Sequence, residues 1–154
     1  LDASIFSIIE QKKFLYLDKL VKRTSETIMT PHKGEFERVF ENTNDKINDC
    51  IKATKQTNSI ILYKGNDTVI GSPSGEIYIN HLSSPYLATA GSGDVLSGVI
   101  LGLLSRGYTI NEASIFGVYL HGLSSENYYN KVSKYSMTAM DIIDYLPTAF
   151  NEVF

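Results

Sequence analysis

The sequence predicts an α/β protein with a mainly parallel sheet, because short apolar strands alternate with amphipathic helices along the chain. Residues 59–63 are apolar on both faces, which is typical of a strand buried in a parallel sheet. Residues 94–105 carry apolar side chains at three- and four-residue spacing, which predicts a helix. Residues 68–70 and 76–79 flank a turn that contains proline and glycine, so we expect them to pair as a hairpin.

The other helices are predicted from apolar spacing and from capping residues. They are expected at 1–20, 34–40, 45–55, 110–126 and 139–146. Thr109 and Glu112 form the T-x-x-E pattern of a capping box at the start of the fifth of the six predicted helices, and Thr138 is expected to cap the sixth. Pro147 is expected to end that last helix, because proline disrupts a helix interior.

A further short strand and two unusual glycines complete the pattern. Residues 27–30 are predicted to form a strand that Pro31 ends. Gly98 and Gly102 lie about one turn apart inside the helix at 94–105. Glycine lowers helix stability, so their presence predicts that another backbone approaches this helix closely. Gly107 is expected to end the helix.

The composition is that of a folded globular chain of about one domain. Of 154 residues, 43% are hydrophobic and 20% are charged, which argues against a disordered chain, and no apolar run is long enough for a membrane span. The net charge of -3 argues against nucleic-acid binding, and the single cysteine, Cys50, excludes an internal disulfide and a multi-cysteine metal site. We expect a soluble, cytoplasmic protein. Because the chain begins with Leu1 and shows no signal-peptide pattern, we expect a fragment or one domain of a longer protein.

The strongest local motif is Gly91-Ser92-Gly93-Asp94 at the predicted start of a helix. Glycines allow the backbone to bend so that several N–H groups face one point, and the first turn of a helix has unpaired donors and a positive dipole end. This combination suits phosphate. Asp94 would be repelled by phosphate, so its useful role is to accept a proton from a hydroxyl group beside it. The alternative is a glycine turn whose acidic residue is favoured by the helix dipole.

A second candidate segment is Lys64-Gly65-Asn66-Asp67-Thr68, which follows the predicted buried strand. In open α/β sheets, ligands bind outside the carboxyl ends of the strands. A lysine, a glycine and a hydroxyl group at that position suit the phosphates or the ribose of a nucleotide. An ordinary exposed loop is the alternative interpretation.

A third candidate segment, residues 30–35, also lies between a strand and a helix. His32 is a candidate hydrogen-bond partner for a substrate, and Glu35 is a candidate helix cap or a metal ligand acting through water. The alternative is a helix entry led by proline, in which the helix dipole favours Glu35.

The remaining motif candidates are structural rather than chemical. His121 is expected to be a packed histidine, His81 has no partner nearby in sequence, and three scattered histidines do not form a zinc site. Cys50 is expected to be a small core residue. The sequence contains neither the G-x-x-x-x-G-K-[ST] loop of P-loop enzymes nor a G-x-S-x-G elbow.

Taken together, these segments resemble the NAD(P)H-hydrate dehydratase family. The matching segments are 30–36 (TPHKGEF), 64–68 (KGNDT), 87–98 (LATAGSGDVLSG), 119–122 (YLHG) and the opening 1–5 (LDASI). The resemblance covers nearly the whole chain and implies a ribokinase-like, three-layer α/β/α fold with a mainly parallel sheet. Residues 1–154 would then form a single but incomplete dehydratase domain, the C-terminal part of that fold.

The resemblance implies that hydrated NADH or NADPH is dehydrated back to NAD(P)H at the expense of ADP or ATP, with Mg²⁺ accompanying the phosphates. Asp94 matches the residue that takes the hydroxyl proton, and the N–H groups of Gly91, Ser92 and Gly93 would stabilise the transferring phosphate. His32 and Asp94 would contact the hydrated dinucleotide. The nucleotide-binding residues would be Lys64, Gly65, Asn66, Asp67, Thr68 and Gly93. No residue is assigned as a metal ligand.

The resemblance also implies partners, and it leaves alternatives. An NAD(P)H-hydrate epimerase domain in the same polypeptide and a homo-oligomer are expected, with no nucleic-acid or membrane partner. Lys33 stands where the family commonly has proline, and Asn66 and Asp67 stand where small residues are usual. One alternative is a ribokinase-like kinase of a small hydroxylated metabolite, such as a vitamin precursor. Another is a nucleotide-binding module without catalysis.

Overall fold

The structure, a computed structural model, describes residues 1–82, 85–132 and 136–154. These residues form two compact units, Leu1–Ile79 and Asn80–Phe154. Among the described residues, no helix has both the length and the apolar character needed to cross a membrane.

The first unit contains four helices and the strands of a mixed sheet. The helices are α1 (Ile5–Gln11), α2 (Lys13–Val21), α3 (Lys33–Val39) and α4 (Lys46–Thr57). The strands are β1 (Ile28–Met29), β2 (Ile60–Tyr63), β3 (Thr68–Gly71) and β4 (Ile77–Asn80), and they are ordered β1-β2-β3-β4 in the sheet. The predicted α/β class is therefore confirmed.

Connection lengths explain the direction of the strands. β1 and β2 are parallel, with Ile28 opposite Ile60, and the helices α3 and α4 lie in the long connection between them. β2 and β3 are antiparallel, with Leu62 opposite Ile70. Only residues 64–67 join β2 to β3, whereas a parallel crossover needs a dozen or more residues. The short loop therefore makes the sheet mixed.

The buried strand β2 lies at the centre of the first unit's core. All four of its residues are buried, as predicted for residues 59–63. Cys50 of α4 is fully buried, and its Sγ lies 3.6 Å from the carbonyl oxygen of Ile61. The prediction that Cys50 is a small core residue is therefore confirmed, and burial raises the pKa of its thiol to about 12.

The predicted helix over 1–20 is two helices. α1 ends at Gln11 and α2 begins at Lys13, because Lys12 between them has non-helical angles, φ -138° and ψ 51°. The N–H of Lys12 donates to the carbonyl of Ile9, a tight turn that closes α1. Not every apolar side chain of these two helices reaches the core, since Phe14 is 88% exposed.

The second unit is helical. It contains a short 3₁₀ turn (Pro85–Leu87) and the helices α5 (Ser92–Ser105), α6 (Ile110–Lys131) and α7 (Ala139–Val153). The predicted capping box is confirmed, because the N–H of Glu112 donates to the Thr109 hydroxyl and the N–H of Thr109 donates to the Glu112 carboxylate.

The prediction that Pro147 ends the last helix is wrong, because α7 contains Pro147 and continues to Val153. A proline inside a helix costs about 3 kcal/mol relative to alanine. The residues after it are nevertheless packed: Ala149 is fully buried, and the ring of Phe154 lies 5.7 Å from that of Phe116 in α6. Burial of this face of α7 offsets the cost of the proline.

The close helix contact occurs at a glycine that the sequence did not single out. A Cβ built on Gly98 or Gly102 would meet no described atom within 4 Å, so the predicted close approach is not made there. A Cβ on Gly117 of α6 would instead lie 2.5 Å from Cγ1 of Ile100 in α5. Gly98 and Gly102 line an open cavity beside α7.

Candidate active site

The GSGD motif forms a sharp bend that leads into α5. Gly91 has φ 84°, a left-handed conformation that L side chains rarely adopt. The Ser92 N–H donates to the carbonyl oxygen of Thr89 over 3.3 Å, and the Ser92 hydroxyl donates to the carbonyl oxygen of Leu87 over 2.6 Å. These bonds hold the bend in one shape before the helix begins.

The bend leaves main-chain donors available, two of them in the first turn of α5. The N–H of Val95 donates to the carbonyl of Gly91, but the N–H groups of Gly93 and Asp94 have no acceptor among the described residues. Such first-turn donors lie at the positive end of the helix dipole. The site therefore offers two N–H groups to an anionic oxygen, as expected of a phosphate-binding turn.

Asp94 places a free carboxylate beside those donors. Its side chain is exposed, and it forms no ion pair with any residue that the structure describes. It lies at the wall of a cavity of about 560 Å³ between α5 and α7, which is lined by apolar residues such as Val99 and Leu146 and by Arg106. An unpaired carboxylate of this kind is able to accept a proton from a hydroxyl group.

His121 of α6 supports the first turn of α5, a contact that sequence reasoning missed. Its Nε2 lies 2.9 Å from the carbonyl oxygen of Ser92. Because a carbonyl oxygen only accepts, Nε2 carries the hydrogen. His121 is only 7% exposed, so the prediction of a packed histidine is confirmed.

The close approach at Gly122 explains the glycine in the 119–122 segment. A Cβ there would lie 2.3 Å from the carbonyl oxygen of Leu82. Because the backbone at Leu82 lies this close to α6, position 122 has room only for a glycine.

In the first unit, three of the matching segments meet at the ends of β1 and β2: residues 1–5, 30–36 and 64–68. The N–H of Lys64 donates to the carbonyl of Pro31 over 2.9 Å. The Nζ of Lys64 lies 3.3 Å from Oδ1 of Asp2, and each of these side chains is 20% exposed. Gly65, Asn66 and Asp67 are exposed, whereas Thr68 is buried at the start of β3. This sheet end thus presents a lysine and an accessible loop.

His32 and Glu35 form a capping box at the start of α3. The N–H of Glu35 donates to Nδ1 of His32 over 3.3 Å, and the N–H of His32 donates to Oε2 of Glu35 over 2.9 Å. Of the roles considered for Glu35, the structure supports the helix cap. The His32 side chain is 60% exposed, so it remains accessible to a ligand. Within the described part of the chain, no three His, Cys, Asp or Glu side chains cluster as metal ligands.

Removing the Glu35 side chain is expected to weaken the start of α3. Glu35→Ala should lower the free energy of unfolding by about 1 kcal/mol, the usual value of a helix cap. Urea unfolding measures this change, with Glu37→Ala on an exposed position of the same helix as the control. Equal losses in the two variants would contradict the capping role.

Comparison with known proteins shows the family to which the chain belongs. A sequence model of the NAD(P)H-hydrate dehydratase family matches residues 1–148. The ADP-dependent (S)-NAD(P)H-hydrate dehydratase of Bacillus subtilis is 35% identical over 134 residues, which are 82% of this chain and 48% of that protein. The bifunctional NAD(P)H-hydrate repair enzyme of Moorella thermoacetica is 38% identical over 125 residues, which are 78% of this chain and 24% of that protein.

Solved structures agree with the fold. The ADP/ATP-dependent NAD(P)H-hydrate dehydratase of Bacillus subtilis, co-crystallized with ATP/Mg²⁺, superposes with a TM-score of 0.78 at 33% identity, covering 86% of this chain and 52% of that one. A ribokinase-like superfamily protein of Enterococcus faecalis gives 0.79 at 23% identity over 97% of this chain and 51% of that one, which supports the ribokinase-like fold alone. The chain spans about half the length of these structures and half or less of the curated relatives.

Proposed function

We propose that this chain, which belongs to the NAD(P)H-hydrate dehydratase family, takes part in the ADP- or ATP-dependent dehydration of hydrated NADH or NADPH. The observation that carries the proposal is the start of α5. There, the unpaired N–H groups of Gly93 and Asp94 lie next to a carboxylate that no described residue neutralises. Phosphoryl transfer needs this pairing of anion donors with a proton acceptor.

The chemistry assigns a different task to each part of the motif. The terminal phosphoryl group of the nucleotide is transferred to the hydroxyl oxygen of the hydrated ring, and the hydroxyl proton passes to the Asp94 carboxylate. The ring C–O bond then breaks, and phosphate leaves with the bonding electrons. Loss of a proton from the neighbouring ring carbon restores the double bond. The main-chain N–H groups of Gly93 and Asp94 stabilise the charge on the transferring group, whereas the N–H of Ser92 already donates to the carbonyl oxygen of Thr89.

The nucleotide and the hydrated dinucleotide are assigned to separate segments. Residues 64–68 form the nucleotide loop, with Lys64 as a phosphate contact and Gly93 as a further contact. His32, with its exposed imidazole, is the candidate contact to the hydrated dinucleotide.

Magnesium fits this scheme as a companion of the nucleotide. Mg²⁺ usually keeps several waters and binds through substrate phosphates with only one or two carboxylates. Bound in that way, the ion would neutralise phosphate charge during the transfer.

The wider assembly belongs to the same proposal. The bifunctional names of the relatives support an NAD(P)H-hydrate epimerase domain in the same polypeptide. We also propose a cytoplasmic homo-oligomer.

A product assay tests the function directly. The full-length protein is incubated with hydrated NADH, ADP and Mg²⁺, and the return of NADH absorbance is followed together with AMP and free phosphate. Recovery of NADH with one phosphate released for each NADH formed is the expected result. A stable phosphorylated product would support the kinase of a small hydroxylated metabolite instead. Failure to recover NADH would reject the dehydratase.

Adding a side chain at Gly93 is expected to weaken nucleotide binding. In Gly93→Val the backbone is no longer able to approach a phosphate closely, so the Kd for ADP should rise about tenfold, or about 1.4 kcal/mol. Isothermal titration calorimetry measures the change. Leu101→Ala, at an exposed position of the same helix, is the control. Unchanged affinity in Gly93→Val would count against phosphate binding at this bend.

A further inference from the structure

A second lysine contacts the 64–68 loop from outside it. α4 begins at Lys46, whose ammonium group donates a hydrogen bond to the carbonyl oxygen of Asp67. The same Nζ lies 4.8 Å from the centroid of the Tyr63 ring, at the end of β2. A cation over an aromatic face is attracted by the ring's negative face. Two independent contacts therefore hold this ammonium group against the loop.

Gly65 leaves the space that the ammonium group occupies. A Cβ built on Gly65 would lie 2.7 Å from Nζ of Lys46, closer than real Cβ contacts allow. The next nearest atom, the carbonyl oxygen of Asp67, would be 3.8 Å away. A side chain at position 65 would therefore displace the ammonium group of Lys46. It would not come as close to any other described atom.

The position of Lys46 differs from that of an ordinary surface lysine. The residue is half-buried, and burial lowers the pKa of its ammonium group, while the nearby Asp67 carboxylate acts in the opposite direction. By comparison, Lys52 on the same helix is exposed, and its Nζ lies 3.6 Å from Oε2 of the exposed Glu41. A partly desolvated charge is retained because the loop carbonyl and the aromatic ring compensate for lost water.

We propose that Lys46 is a positioning residue for the nucleotide loop: its ammonium group fixes the backbone of residues 64–68 in the shape that receives a nucleoside diphosphate. This inference rests on the proposed nucleotide-binding role of the loop. Lys64 is held separately by Asp2, so the two lysines have different tasks. In the proposed function Lys64 is the phosphate contact, whereas Lys46 holds the backbone of the loop that carries it.

Variants of the full-length protein test the proposal. Lys46→Met should raise the Kd and KM for ADP about tenfold, as for loss of one charged hydrogen bond, while kcat stays unchanged. Lys46→Arg, which keeps the charge and the donors, should recover most of the affinity. Lys52→Met is the matched control and should bind ADP like the wild type. A loss confined to thermal stability, with ADP affinity unchanged, would overturn the proposal.

A double-mutant cycle measures whether Lys46 and Gly65 affect ADP affinity through the same contact, which would not be so if Lys46 only stabilised the fold. Gly65→Ala displaces the ammonium group, so it should weaken ADP binding about as much as Lys46→Met does. The double variant should be no weaker than either single variant. Additive losses would show that the two residues act independently and would overturn the proposal.

The outcomes separate this inference from the proposed function. If the wild type binds ADP and Lys46→Met binds it equally well, the positioning role is wrong and the dehydratase proposal stands. If the wild type binds neither ADP nor ATP, both fall. Faster hydrogen exchange at residues 64–68 in Lys46→Met than in Lys52→Met is expected alongside the affinity loss, and equal exchange in the two variants would contradict the loop contact.

Discussion

Replacing Asp94 with Asn is expected to reduce kcat/KM for hydrated NADH by about 100-fold or more, the usual contribution of a general base. Asparagine has nearly the same shape as aspartate but does not accept the hydroxyl proton as a carboxylate does. Because the Asp94 side chain is exposed and has no ion-pair partner among the described residues, its loss should barely change the stability of the fold. Initial rates of NADH recovery, measured on the full-length protein, check this result.

A matched control separates catalysis from general charge effects. Asp144→Asn removes an exposed carboxylate from α7 and should leave the rate unchanged. ADP affinity in Asp94→Asn should be retained or increased, since a negative charge near the phosphates is removed. Full biological activity of Asp94→Asn would support a nucleotide-binding module without catalysis.

Substituting Gly122 by Ala is expected to be the most destabilising single change considered, with a loss of about 3 kcal/mol in the free energy of unfolding. The new Cβ would lie 2.3 Å from the carbonyl oxygen of Leu82 and 3.3 Å from its carbonyl carbon. These are backbone atoms, which do not rotate away as the end of a side chain does. Either α6 or the backbone at Leu82 has to move.

A gain rather than a loss in the free energy of unfolding is expected when alanine replaces a glycine with free space around it. Gly102→Ala, at an exposed position of α5, meets no described atom within 4 Å and should stabilise the protein by about 0.5–1 kcal/mol through helix propensity. Urea unfolding of the two variants measures both changes. Equal effects at Gly102 and Gly122 would contradict the close approach at Leu82. Since His121 donates to Ser92, a shift of α6 should also reduce activity.

Local features were predictable because the interacting groups lie within a few residues of each other. The capping box at Thr109 and Glu112 connects groups three positions apart and is visible as a T-x-x-E pattern. The apolar run at β2 predicted a buried strand, and burial of every residue from Ile60 to Tyr63 confirms it. The GSGD motif marked the start of α5 in the same way.

Features that depend on distant contacts were not predictable. Pro147 was expected to end α7, but the packing of Phe154 against Phe116 of another helix extends the helix past it. Spacing alone gave no reason to connect Lys46 with Asp67, 21 positions away, or Asp2 with Lys64, 62 positions away. Such pairs form only when the chain folds.

The family, the order of the chemical segments, and the bends and caps that start the helices could all be inferred from the residues alone, because they depend on backbone preferences and on hydrogen bonds between near neighbours. The side chains that hold these segments in place became evident only in the folded chain: His121 at the start of α5, Asp2 beside Lys64, and Lys46 on the 64–68 loop. Charge pairing and close packing depend on distance in space, which the order of residues along the chain does not give.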